Sequence, residues 1–286
     1  MGDGAGWVHT SGGDNTFVGS QAGFEDTSGS YNTFIGGAAG RSNIFGAYNT
    51  FLGYCSGRDN TTGDDNTFIG SAAGYYSTSG VRNTCVGASA GMDNTAGHEN
   101  TYLGTYAGLH ALGSENVFIG TGAGLSAAGS SNVFIGYYAG TSETGSNKLY
   151  IANDADTGSV LIYGDFSSGR VGIGTTSPGY KLDVDGDINT TGEIRQGGFS
   201  YNFPDYVFEP DYELMPLTKL EDFVAEKKHL PGMPSAEEVK KEGVKLFEQN
   251  RLLVEKLEEA YLYILELQER VSRLENGTKA KLSTVR

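Results

Sequence analysis

The chain has 286 residues, with 44 glycines against 6 prolines, an aromatic share of 11% and a formal net charge of −15. Glycine stands at about twice its usual share of roughly 7% without a period of three, which excludes collagen, and the aromatic share excludes a disordered linker. Acids outnumber bases 11 to 3 over residues 1–146, 7 to 4 over 147–198 and 17 to 13 over 199–286, so the first half lacks the clustered Lys and Arg that a nucleic-acid backbone needs.

Residues 1–146 are a repeat. Asparagine opens each copy at Asn15, Asn32, Asn49, Asn66, Asn83, Asn100, Asn116 and Asn132, at steps of 17 five times and then 16 twice. One glycine follows four residues later (Gly70 in the fourth copy) and another eight later (Gly74). A fixed short period marks a stacked architecture in which no unit buries its own apolar side chains but a stack does. The run Thr-Phe-Ile, β-branched and aromatic, predicts a short strand ended by glycine. The Ala-Gly pair (Ala73-Gly74) predicts a second packed strand or a corner, and the polar remainder a loop. Gly2-Asp3-Gly4-Ala5-Gly6 matches Gly19-Ser20-Gln21-Ala22-Gly23, 17 residues on, so the chain is expected to be a piece of a longer protein.

The asparagines read as a turn-capping ladder. Cys85 takes the slot that Phe fills elsewhere and reads as a small buried hydrophobe; with Cys55 it draws no disulfide or metal framework. Successive strand residues face opposite ways, and both faces are apolar. Phe17, Phe34, Phe51, Phe68, Phe118 and Phe134 lie on one, with Val18, Ile35, Leu52 and Ile69 among those on the other. A coil interior hides one face, and soluble monomers avoid large exposed apolar patches, so the second face is expected to meet partner chains. Ice or polysaccharide binding is the competing reading of a Thr-bearing face, disfavoured because large aromatics stand beside the threonines.

The unit Asn-Thr-Phe-Ile-Gly-x-x-Ala-Gly resembles the head repeats of YadA-like trimeric adhesins, over roughly residues 2–145. The resemblance implies a left-handed parallel β-roll in a three-chain bundle. The column Phe17, Phe34, Phe51, Phe68, Phe118 and Phe134 is then assigned to the trimer core. The chain departs from that family in its long polar loops and in the aromatic slot, which is commonly small there.

Residues 147–198 are expected to form a β connector. Asn147-Lys148-Leu149-Tyr150-Ile151 is a worn repeat start, followed by strand-like runs at Val160–Tyr163, Arg170–Ile173 and Lys181–Val184. Gly172-Ile173-Gly174 lacks the third glycine of a dinucleotide fingerprint. Asp183, Asp185 and Asp187 alternate, but Val184 and the missing closing glutamate break a calcium loop. The run from Gly169 to Ile188 resembles a connector in tail-fibre-like and surface fibre proteins. The Ser-Asp-x-Arg-like start of the self-cleaving chaperone carried by endosialidase-type fibres is absent.

Residues 199–235 crowd Phe199, Tyr201, Phe203, Tyr206, Phe208 and Tyr212 with Pro204, Pro210 and Pro216. Thr218 with Glu221 reads as a capping box for a helix to about His229, and Ser235 with Glu238 as another. His229 reads as a capping or packing residue. Over 236–276 a coiled-coil helix is predicted, with Leu246, Leu253, Ala260, Leu267 and Leu274 at d and Asn250, Leu257, Ile264 and Val271 at a. Asn276-Gly277 is expected to end it, leaving 277–286 as a flexible tail. Ile/Val at a with Leu at d leans to two strands, whereas Phe247, Val254 and Tyr261 at e widen the stripe, and the head argues for three.

The fold class expected is thus an all-β trimeric repeat head, a parallel β-roll or solenoid, followed by a β connector, a short mixed region and a C-terminal coiled coil. No catalytic set or cofactor motif is present: the four histidines are scattered and no Ser-His-Asp grouping can be placed. A glycan-degrading tailspike needs paired carboxylates in a groove, whereas the acids here fall at varying loop positions. The expectation is a non-enzymatic homotrimeric fibre or adhesin segment, extracellular or on a phage or injection particle. Its receptor on a host or cell surface would be a glycan or protein, with neither nucleic acid nor membrane insertion involved. Loops such as Tyr75–Val81 and Met92–Glu99 are the contact candidates. The alternative is a structural spacer without binding of its own.

Overall fold

A computed structural model describes residues 2–155, 160–194 and 203–283, with side chains to residue 278. It divides into two units, Met1–Asn189 and Thr190–Arg286.

The first unit is a parallel β-solenoid. Eight strands of three residues, β1 (Thr16–Val18), β2 (Thr33–Ile35), β3 (Thr50–Leu52), β4 (Thr67–Ile69), β5 (Thr84–Val86), β6 (Thr101–Leu103), β7 (Val117–Ile119) and β8 (Val133–Ile135), each pair in parallel with the next. The register is one to one, so Phe34 lies on Phe51 and Phe51 on Phe68. Each coil carries a single strand: the Ala-Gly segment forms a turn, and the reading of a second strand there does not hold. The turn is forced by glycine. Gly74 has φ +58°, and a Cβ there would stand 2.5 Å from the Phe68 ring. At Gly70 a Cβ would lie 2.4 Å from the Gly87 carbonyl oxygen of the next coil. Only a hydrogen fits at either place.

These turns decide which face is inside. Phe34, Phe51, Phe68, Phe118 and Phe134 are at most 1% exposed, with Ala22, Ala39, Ala73, Ala90, Ala107, Ala123 and Ala139 packed among them. The rings stack at 4.7–5.3 Å, with Phe17 half-buried at one end of the column. The assignment of Phe17, Phe34, Phe51, Phe68, Phe118 and Phe134 to a chain–chain core is therefore corrected. The chain's own coil encloses this column, and the rings of Phe34, Phe51, Phe68, Phe118 and Phe134 leave no surface for a partner.

The asparagine ladder forms as expected. Each Oδ1 accepts the backbone N–H of the residue that takes the same place in the next coil, from Asn32 onto Asn15 (2.9 Å) to Lys148 onto Asn132 (2.8 Å), so Lys148 and not Asn147 opens the worn copy. Each Nδ2 donates to a glycine carbonyl 13 or 14 residues on, as Asn66 does to Gly80 at 2.7 Å.

A ninth strand, β9 (Lys148–Ile151), continues the parallel stack and places Tyr150 on Phe134. The direction then reverses. Strand β10 (Ile162–Asp165) pairs antiparallel with β9 and with β11 (Arg170–Ile173), and β12 (Leu182–Val184) is parallel to β11. Lys148 sits opposite Asp165 and ion-pairs with it at 3.2 Å. Two of the three predicted runs shift by one or two residues.

In the second unit a 3-10 turn (Pro204–Phe208) precedes α1 (Leu217–Lys227), α2 (Ala236–Glu242) and α3 (Leu246–Ser283). Pro216 occupies the N-cap of α1, so Thr218 lies inside the first turn and forms no cap. The Ser235–Glu238 capping box is present in both directions. Gly243, at φ +72°, separates α2 from α3, so the stretch 236–276 is two helices. Helix α3 runs through Asn276-Gly277, where the Thr278 hydroxyl donates to the Leu274 carbonyl at 2.8 Å. Phe199 and Tyr201 lie outside the described residues.

Candidate interaction surfaces

With the rings inside, each strand turns its first and third residues outward. Thr16, Thr33, Thr50, Thr67, Thr84 and Thr101 form one rank, continued by Val117 and Val133; Val18 through Ile151 form the other. Val18 is 45% and Leu52 43% exposed, and Ile35, Ile119 and Ile135 are also exposed. The threonines therefore share their outward face with the aliphatic third residues, while the strands' own Phe rings point inward. This rank of apolar residues, repeated at the ~4.8 Å spacing of paired strands, is an uncovered apolar face of the first unit.

The second unit carries another. Leu246, Leu253, Leu257, Ile264, Leu267, Val271 and Leu274 along α3 are all exposed, as are Asn250 and Ala260. A segment of the same chain covers a different side of this helix. Val207 in the 3-10 turn is 1% exposed. Tyr206 donates to Glu255, Tyr212 to Glu259 at 2.5 Å, and Tyr263 to the Met215 carbonyl at 2.6 Å. Arg251 bridges Glu248, Glu255 and the Tyr206 oxygen. Burial alone would raise the Glu255 carboxyl, but the bonds from Tyr206, Lys256 and Arg251 outweigh it and hold the group below the ordinary 4.5. Burial, then the bond to Glu259, pushes Tyr212 up. In heptad terms this strap uses b, c, f and g positions and leaves a and d bare, while at e Phe247 and Val254 are half-buried and Tyr261 is exposed.

The remaining candidates have structural work. His229 packs edge-on against Phe223 at 5.7 Å, and Ser235 caps α2. Asp183 accepts from the Gly179 N–H at 2.8 Å. Cys55 and Cys85 are free and buried. Among the described residues, no group of three or more His, Cys, Asp or Glu side chains is placed to hold a metal, and no helix is long and apolar enough to cross a membrane.

Three columns escaped the sequence reading. Asp26, Asn43, Asn60, Ser77 and Asn94 form a second buried polar column, bonded from coil to coil where Asn43 donates to Asp26 at 2.8 Å and Asn60 to Asn43 at 2.6 Å. His9 closes one end on Asp26 at 3.0 Å. The 17-residue spacing of these side chains was the available signal. Tyr31 and Tyr48 stack on the outside at 4.9 Å. Arg41 and Arg58 occupy one half-buried column between aromatic rings. Comparison with family models, with curated proteins and with solved structures gives no match for this chain.

Proposed function

We propose that the chain is a segment of a homotrimeric fibre or adhesin, of tail-fibre or surface-appendage type, which projects loops toward a host or cell surface. The observation that carries this reading is the pair of bare apolar tracks, one in each unit: the Val18–Ile151 rank of the solenoid and the a/d stripe of α3. Burial of apolar surface is the main drive for association, and the strap along α3 keeps the second track clear. The YadA-like repeat supplies the number three. Contacts to a receptor fall to the loops between coils, such as Tyr75–Val81 and Met92–Glu99, since loops on a rigid scaffold carry most recognition. Three copies would add avidity.

Removing residues 246–274 tests the assembly, with mass measured by multi-angle light scattering. Trimers in the full chain and monomers or aggregates in the deletion are expected; stable trimers without the helix would remove its role. The satisfied asparagine ladder from Asn15 to Asn132 favours a second reading, a spacer whose repeat is scaffold throughout. Absence of any cell-surface attachment by the full chain would select it.

A further inference from the structure

Only three bases lie in residues 1–146: Arg41, Arg58 and Arg82. Arg82 follows the ordinary rule for stacked coils, facing and ion-pairing with the acid 17 residues on, Glu99. Arg41 and Arg58 break it. They too are 17 residues apart, on adjacent rungs ~4.8 Å from each other, and like charges directly opposite are destabilising. Their column is rigid: the N–H groups of Val8, Glu25, Ser42, Asp59 and Tyr76 donate to the carbonyls of Phe24, Arg41, Arg58, Tyr75 and Met92 at 2.7–3.1 Å.

An aromatic ring holds each guanidinium from outside the pair, Phe24 at 5.4 Å from Arg41 and Tyr75 at 4.9 Å from Arg58. Both side chains engage protein acceptors through Nη1 alone, Arg41 to Glu25 at 3.2 Å and Arg58 to Tyr75 and, at 3.7 Å, Asp59. Nε and Nη2 remain on both, and the side chains are 28% and 33% exposed. Two planar forks, pinned by rings and with donors to spare, match the geometry by which arginine takes a carboxylate.

The geometry points to a binding site for a saccharide bearing a single carboxylate, of the uronic or sialic acid kind, at Arg41 and Arg58. The inference rests on the attachment part of the function proposed above and is independent of the trimer. A densely charged polyanion is disfavoured, because acids outnumber bases 11 to 3 over residues 1–146. A peptide strand is disfavoured because the column's backbone groups are already bonded coil to coil. A sugar needs no backbone pairing, and Trp7 in the same column and Tyr76 beside Tyr75 are exposed rings of the kind on which sugar faces stack.

Titration calorimetry of the full chain tests the site with 3′-sialyllactose and cellobiouronic acid against lactose, cellobiose and the peptide acetyl-Gly-Asp-Gly-amide. At least one acidic sugar is expected to bind, its neutral counterpart about tenfold or more weakly, and the peptide no better than the neutral sugar. Arg41→Gln with Arg58→Gln is expected to weaken the acidic sugar about tenfold or more. Should that variant misfold, Arg41→Lys with Arg58→Lys keeps the charge, loses the fork and is expected to weaken binding several-fold. Failure of both acidic sugars, equal binding of neutral sugar or peptide, or unchanged affinity in the folded variants would overturn the site. Cell-surface attachment is measured in parallel: attachment with no acidic sugar bound rejects the site alone, whereas sugar binding without attachment supports it and rejects the attachment reading.

Discussion

The side-chain oxygen of Asn49 accepts the backbone N–H of Asn66 at 2.9 Å, and Asn66 repeats the act for Asn83 at 3.0 Å. Each asparagine is thus both guest and host, and the buried backbone of one coil depends on the side chain of the previous one. Asn66→Ala would orphan the Asn83 N–H and the Gly80 carbonyl, and a buried unsatisfied group costs about 1–3 kcal/mol. A loss of about 2–5 kcal/mol is expected, read as a lower denaturation midpoint by circular dichroism. Exposed Ser71→Ala should change stability by less than about 0.5 kcal/mol; equal effects from the two would reject the ladder as a source of stability.

Tyr102 fills the aromatic slot of its coil, yet its buried hydroxyl faces Asn116 without forming a well-aligned hydrogen bond. Tyr102→Phe keeps the ring stacked on Phe118, 5.0 Å away, and deletes the orphan. The variant should be more stable by about 1 kcal/mol. A drop in the melting temperature would show that the hydroxyl is bonded.

Cys85 sits in the same column, 1% exposed, and burial pushes its thiol well above the usual range. The thiolate is the reactive form, so Cys85 should resist iodoacetamide at pH 8 in the folded chain and react in denaturant. Mass spectrometry of digested protein reads the modification. Rapid labelling of native Cys85 would contradict its place inside the coil.

The strap on α3 has a two-sided pH dependence. The folded pKa of Glu255 is lowered, so its contribution is present above the unfolded value and lost as pH falls through the folded one. Tyr206 and Tyr212 are raised, by burial first and then by their glutamate partners, so their contribution holds below the ordinary tyrosine value of 10.0 and is lost as pH rises through the folded values. Near-UV dichroism of the tyrosines should therefore be flat from about pH 5 to 10 and change on both sides. Tyr212→Phe cannot ionise and should lessen the alkaline change; an unchanged profile would mean that the Tyr212–Glu259 bond does not hold the strap.

Much of the solenoid is legible residue by residue. The period places eight strands, because Thr-Phe-Ile favours extended backbone and the glycines at Gly70 and Gly74 sit where a side chain would strike the next coil or the coil's own ring. The asparagine ladder and the Ser235 cap follow from short-range chemistry in the same way. Strand alternation, however, is symmetric: Phe68 and Ile69 are both apolar, and nothing local says which turns inward. The closed coil decides it, because Ala73 and Gly74 leave room for a flat ring on the inside, and the aliphatic rank is what remains outside. The same holds for α3, whose heptads are visible in the chain. That Tyr206, Tyr212 and Tyr263 would fasten a strap to its other side depends on residues 45 to 49 positions apart meeting, and only the folded chain brings them together.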